Sequence, residues 1–128
     1  DGVEHLGYNR AINREKYAAD QIDCALEDKN SLRYQVYSAL SQLIVLRRAE
    51  KAFHPDSEAY FSTSGKHVLK IVRVADCGEK ITVLFNFSDN SQTVESDIHS
   101  GRKLISGKDI TDTTLILNPW QVLWIKEN

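Results

Sequence analysis

The hydrophobic period of this chain changes once, at Pro55, and that change divides what each part can fold into. Before Pro55 apolar residues recur every three or four positions; beyond it they recur every second one. The first spacing stacks side chains on one face of a helix, and the second lines one face of a pleated strand. The pattern predicts an α+β chain: two N-terminal helices, then a small all-β antiparallel sheet or sandwich.

From Ala18 to Leu26, residues Ala18, Ala19, Ile22, Ala25 and Leu26 share one helical face. Asp28-Lys29-Asn30 breaks that helix. Ser31 is placed to cap a longer helix reaching about Lys51, because a serine hydroxyl accepts a first-turn N–H. Leu32, Val36, Ala39, Leu40, Leu43 and Leu46 form its expected buried stripe, widened by Tyr37 and Ile44. Arg47, Arg48 and Lys51 sit where the helix dipole favours cations. Pro55 then forces His54 out of helical geometry, so the chain turns.

Beyond the turn, Val68 to Val74 reads as a strand, joined through Asp76-Cys77-Gly78 to a second one. In the second, Ile81, Val83, Phe85 and Phe87 alternate with Thr82, Leu84, Asn86 and Ser88, the pattern of a half-buried strand. Ser88 to Ser91 makes a turn. Thr93 to Ser96 and Lys103 to Ile105 read as short strands, followed by Thr114 to Leu117 and Trp120 to Ile125.

With 128 residues, the chain suits one domain with a short appendage. Its net charge of -2 leaves no electrostatic footprint for nucleic acid or anionic lipid. No apolar run approaches the ~20 residues that a membrane span needs. Cys24 and Cys77 form neither a CxxC pair nor a disulfide framework, and read as free thiols of a reducing cytoplasm. The chain begins at Asp1, contains no methionine and shows no charged-then-apolar leader, so it reads as the tail of a longer protein.

No P-loop, GxGxxG or HExxH motif is present. His5, His54, His67 and His99 are too scattered for a metal site, so neither metal nor cofactor is expected. His54 has two readings, lining a groove or fixing a turn by a hydrogen bond to a backbone carbonyl. Asp20 and Asp23 read as a solvated helix face, and Glu58, Glu79, Glu95 and Asp97 as edge and solubility charges. No pair of carboxyls suited to acid/base work is nominated, so no catalytic residue is expected. Trp120 and Trp124 fall on one face of the last strand; they read as core, with a sugar-stacking platform as the other reading.

The run Asn9-Arg10-Ala11-Ile12-Asn13-Arg14-Glu15-Lys16-Tyr17 stands apart. Arg10 and Arg14 are forked donors able to grip hydroxyls, carboxylates or phosphates, and Asn9 and Asn13 add amides. Helix-start chemistry, with Asn13 as a cap and the arginines paired to Glu15 or Asp20, accounts for the same residues.

NRAINREKY, SLRYQVYSALSQLIVLRRAEKAFHP, VLFNFSDNS and LILNPWQVLWI, in that order, resemble the C-terminal end of sucrose phosphorylase-like enzymes. That group belongs to the α-amylase superfamily, glycoside hydrolase family thirteen. The likeness spans nearly the whole chain and is most specific at Arg10-Ala11-Ile12-Asn13-Arg14 and Ala52-Phe53-His54-Pro55. It implies that residues 1–54 end a (β/α)₈ barrel and that residues 55–128 form the C-terminal β domain. Barrel sites lie on loops after the strands. The likeness therefore places Arg10 near the substrate, reaching the leaving-group or acceptor subsite, with Tyr8, Asn13 and Arg14 as neighbours. Sucrose-specific members tend to read INRHYY where this chain reads INREKY, which leans towards sister enzymes acting on other glucosides, such as glucosylglycerate.

The family mechanism is retaining glucosyl transfer to phosphate, with the catalytic aspartates and glutamate expected upstream of Asp1. The resemblance thus implies an inactive piece whose partners are the rest of the barrel and, in the whole enzyme, a small glucoside and phosphate. Its barrel-facing helix surfaces would be exposed, giving self-association. Two further readings stand beside this one. One is a stand-alone carbohydrate-binding module using Trp120 and Trp124; the other is the tail of an α-amylase-type hydrolase or transglycosidase.

Overall fold

A computed structural model of the chain describes Gly7 and residues 16–128. It shows two helices followed by antiparallel β structure, as the change of period predicts, gathered into two compact units. One unit runs through Gln42 and the other from Leu43 to Asn128.

In the first unit, α1 (Ala19–Glu27) starts at Ala18, whose N–H donates to Gln21 Oε1 at 3.1 Å. Asp28 ends it: Asn30 N–H donates to Asp28 Oδ1 at 3.0 Å, an Asx turn that competes with helix. The expected cap is present, since Tyr34 N–H donates to Ser31 Oγ at 3.1 Å at the start of α2 (Leu32–Ala49). The same hydroxyl donates back to Ala25 O at 3.0 Å, tying the two helices at their hinge.

The expected buried stripe of α2 is not buried. Neither helix buries a residue; Leu32 is 75% exposed, and Val36, Leu40 and Ile44 are exposed too. Periodicity identifies the apolar face of a helix, but burial needs a surface to cover it, and these described residues supply none.

The second unit holds the 3₁₀ turn Lys51–Phe53 and the strands β1 (Glu58–Ser64), β2 (Val68–Val74), β3 (Lys80–Asn86) and β4 (Gln92–Glu95). β5 (Gly101–Lys103), β6 (Asp109–Ile110), β7 (Thr114–Leu117) and β8 (Val122–Glu127) follow. The larger sheet has the order β1-β2-β3-β8-β5-β6, and β4 pairs with β7 in a second one. Every pairing is antiparallel.

Register decides which side chains share a face. Val68 lies opposite Asn86, and Thr82 opposite Ile125, so the even-numbered residues of β3 point with Val68 and Ile125. That face is covered by the small sheet: Val68, Leu84 and Ile125 pack with Val94, Leu115 and Leu117, joined by Ile98 and Ile110. Thr82, Leu84 and Asn86 are thus fully buried, while Phe87 is exposed. Polarity suggests the opposite face as the inner one. Two-residue alternation locates two faces without saying which meets the second sheet.

Two strands expected from sequence are displaced. Gly101–Lys103 replaces Lys103 to Ile105, because residues 104–106 form the turn between β5 and β6. The last strand starts at Val122 rather than Trp120. Gln121 N–H donates to Asn118 O at 3.1 Å, closing a turn through Pro119 and Trp120, with Trp120 at φ 58°. Proline second and a positive φ third is the type II pattern, which cannot continue a strand.

Candidate functional site

The face of the larger sheet opposite the core carries Phe61 on β1, Leu69 and Ile71 on β2, Val83 and Phe85 on β3, and Val122 and Trp124 on β8. At one end it is covered by the 3₁₀ turn. Ala52, Ala75 and Ile81 are buried together, with Phe53, Val83 and Leu104 against them. The Phe53 ring meets Trp124 at a centroid distance of 4.8 Å and a tilt of 55°. At the other end nothing among the described residues covers the sheet. Phe61 is 69% exposed, and Phe87, its ring centroid 3.9 Å from that of Phe85, is half exposed. Large apolar groups gathered on one bare face mark a contact surface.

A polar clamp fixes the covered end. Lys126 Nζ on β8 donates to Glu50 Oε2 at 2.6 Å and to Glu79 Oε2 at 2.7 Å. Glu79 Oε1 accepts from the N–H of fully buried Ala52 at 2.9 Å. Arg73 donates from Nε to Ala52 O at 3.1 Å and from Nη2 to His54 O. Burial alone would raise the Glu79 pKa, but the bonds from Lys126 and the Ala52 amide outweigh it and hold the carboxyl below its usual range. Lys126 is pushed up by its bond to Glu50 first and to Glu79 second. Glu79 is therefore a structural anchor and not the solubility charge expected from its place beside a strand.

The other singled-out carboxylates make exposed pairings. Asp97 is lowered chiefly by its 2.8 Å bond from Lys70 Nζ. Glu95 accepts from the Thr114 hydroxyl at 3.1 Å, and Glu58 accepts from the Tyr60 phenol at 2.5 Å. The bond and charge of Glu58 raise the Tyr60 pKa. His54 fixes a turn as an acceptor: Asp56 N–H donates to its Nδ1 at 3.3 Å. It also lines a cavity of about 360 Å³ with Arg47, Arg48 and Phe53; its ring holds the turn by accepting from an N–H, not through the expected backbone carbonyl. Among the described residues, no His, Cys, Asp or Glu cluster could hold a metal. Cys24 and Cys77 are free and exposed.

Trp120 and Trp124 do not share a face. Trp124 is half-buried on the strand, whereas Trp120 sits in the preceding turn and is 60% exposed, so it is not core. Its turn is held on three sides. Trp120 N–H donates to Ser88 O at 3.1 Å, Asn118 N–H to Gln121 Oε1 at 2.8 Å, and fully buried Asn86 Nδ2 to Asn118 O at 2.9 Å. Asn86 Oδ1 also accepts from Ser88 N–H at 3.0 Å and from Ser88 Oγ at 2.7 Å. Sequence reasoning missed this hub, because an asparagine inside an apolar strand pattern reads as an outward residue. Arg10, with Tyr8, Asn9, Asn13 and Arg14, lies outside the described residues.

No family model matches the chain. It is 48% identical over 125 residues to the glucosylglycerate phosphorylase of Escherichia coli (strain K12), covering 98% of this chain and 22% of that protein. It is 31% identical over 124 residues to the glucosylglycerate phosphorylase of Allomeiothermus silvanus, covering 97% of this chain and 21% of that protein. Among solved structures, Eubacterium rectale Amy13B superposes with a TM-score of 0.64 at 25% identity, covering 89% of this chain and 23% of that one. The resemblance to phosphorylase-like enzymes of the α-amylase type is borne out, and the chain spans about a fifth of the length of these curated relatives. No described helix is long and apolar enough to cross a membrane.

Proposed function

We propose that this chain is the non-catalytic C-terminal part of a retaining glucosyl-transferring phosphorylase acting on a glucoside of the glucosylglycerate type. The observation that carries the reading is 48% identity across 98% of the chain to a relative of which it spans 22%. The helices close the catalytic barrel and the β sandwich packs on it through its bare sheet face. Catalysis then rests on carboxylates upstream of Asp1. An aspartate attacks the anomeric carbon while a glutamate protonates the leaving oxygen. Phosphate next displaces the enzyme, giving α-glucose 1-phosphate with retained configuration. Arg10 reaches the acceptor subsite in this scheme.

The bare surfaces support the reading physically. A helix with no buried residue and a sheet face displaying Phe61 and Phe87 are exposed apolar area that a partner would cover. By itself the 128-residue chain is expected to bind a hydrophobic dye and to self-associate. A dye-silent monomer by light scattering would count against a missing partner. The functional test is phosphate-dependent release of glucose 1-phosphate by the protein joined to its upstream coding sequence. Release from glucosylglycerate but not sucrose is the expected result. Phosphate-independent glucose release would make the parent a hydrolase instead.

One observation favours a second reading: Trp120 stands 60% exposed in a turn at positive φ. Exposed indoles can stack on sugars, so a carbohydrate-binding surface at Trp120 alone is the competing assignment. Saturable quenching by maltose or glycogen, abolished by Trp120→Ala, would favour it; a flat titration would dismiss it.

A further inference from the structure

The first strand of the larger sheet is an open edge. β1 is bound to β2 on one side and, among the described residues, to no strand on the other. Its ladder with β2 runs residue against residue from Glu58↔Val74 to Ser64↔Val68, with no bulge. An edge of this kind offers a row of N–H and C=O groups to any extended chain. Folded proteins blunt such edges with short strands, lysine, proline or bulges. The opposite edge of the same sheet is blunted by length, since β6 has only two residues. β1 has none of these devices: its seven residues, EAYFSTS, include no lysine and no proline, and their single charge is Glu58 at the first position. Tyr60 and Phe61 stand exposed at its middle.

The strand is also complementary to itself. Two-fold antiparallel pairing of a strand with its own copy is centred on one point, and the register that pairs all seven residues centres on Phe61. Phe61 then faces Phe61 of the second copy, Tyr60 faces Ser62, and Ala59 faces Thr63. Aromatic and hydroxyl side chains of this kind suit cross-strand contact. The two Glu58 carboxylates fall at opposite ends of the pairing, about 20 Å apart. That is well beyond the ~8 Å over which exposed charges act at physiological salt. The pairing adds about six to eight main-chain hydrogen bonds, according to which alternate residues face outward. These bonds lie in the plane of the sheet, so the broad bare face stays free for another partner.

We propose that β1 is a dimerisation edge, pairing antiparallel with β1 of a second copy of this chain about a two-fold axis at Phe61. The proposal stands on the open edge and is independent of the phosphorolytic reading.

The test uses the protein joined to its upstream coding sequence. Light scattering should give twice the mass of one chain. Phe61→Lys sets two ammonium groups opposite each other at the axis, and should give the mass of one chain with unchanged circular dichroism. Register is then read by cross-linking, with Cys24, Cys77 and any exposed upstream cysteine replaced by serine. Cysteine is placed singly at Tyr60, Phe61 or Ser62 and oxidised. Residues directly opposite come close enough for a disulfide, whereas diagonal ones stand ~7–8 Å apart. Phe61→Cys should therefore cross-link to itself, and Tyr60→Cys and Ser62→Cys each about tenfold less. A mixture of those last two should cross-link to each other. A monomeric unsubstituted protein overturns the proposal and leaves the edge to a segment of the upstream polypeptide. So does a dimer that survives Phe61→Lys, or one that cross-links equally at all three positions, as unspecific association of apolar faces would.

Discussion

Glu79 makes the sharpest test of how the 3₁₀ turn is held, because its two oxygens do separable work. Oε1 accepts from Ala52 N–H at 2.9 Å, and Oε2 accepts from Lys126 at 2.7 Å. Glu79→Ala removes both and strands a backbone N–H on a fully buried residue, which costs about 2–3 kcal/mol. Glu79→Gln keeps an oxygen for Ala52 and loses only the charge. Lys126 retains Glu50, and its side chain is 38% exposed, so solvent screens the lost attraction. That leaves about 1 kcal/mol or less. Thermal melts at neutral pH should therefore rank wild type, then Glu79→Gln, then Glu79→Ala, with Tm falling about 4–8 °C per kcal/mol for a unit of this size. The pH dependence has a definite sign. Glu79 is lowered on folding, so its charge contributes fully above its unfolded pKa of about 4.3 and fades as pH falls through the folded value. The gap between wild type and Glu79→Gln should be constant from about pH 6 to 8 and close in acid. Equal costs for the two variants, or a gap that persists unchanged below both pKa values, would refute the division of labour.

Three further substitutions probe the rest of the second unit. A Cβ on Gly101 would stand 2.5 Å from Lys126 O, so Gly101→Ala should cost about 1–3 kcal/mol in chemical melts, as overpacking against an immovable backbone does; a neutral result would mean β5 can slide off β8. Asn86→Ala should lose about 2–4 kcal/mol, since it orphans the buried Ser88 N–H and Leu117 O and unties the exposed Asn118 turn, and faster amide exchange at Ser88 and Trp120 would report it. Trp120→Gly should raise Tm, because glycine relieves about 1 kcal/mol of left-handed strain at φ 58°; a fall would show that the indole packs more usefully than its exposure implies.

The boundary between helix and strand was legible because it is written in period, and period survives without tertiary context. The same holds for the Ser31 cap, whose geometry involves only Ser31 and Tyr34. β1 was missed for a physical reason: no residue of Glu58–Ser64 is buried, so its sequence EAYFSTS carries no inward-facing alternation. What could have found it is its run of aromatic and hydroxyl residues followed by Gly65, at φ 72°. The Trp120 error was avoidable, as Pro119 already marks a turn. Glu79 was not legible, because its partners Ala52 and Lys126 lie 27 and 47 residues away. At the candidate site the sequence identified Phe85, Phe87 and the apolar stripe of α2, but not Phe61 on β1 and not that these surfaces would be bare.

That last gap bears on what the surfaces are for. The sandwich contains its own core: Leu84, Leu117 and Ile125 are fully buried between its two sheets. Its exposed apolar face is therefore surplus to what holds the sandwich together. The helices are in the reverse position. A helix of nine residues and one of eighteen, with nothing buried on either, lack the tertiary packing that gives most helices their stability. Yet the longer one keeps an apolar stripe, and its final turns belong to the same compact unit as the sandwich. In the proposed reading, the rest of the barrel is what covers the helices and the surplus sheet face. The chain spans about a fifth of the length of its curated relatives, which is what that reading requires.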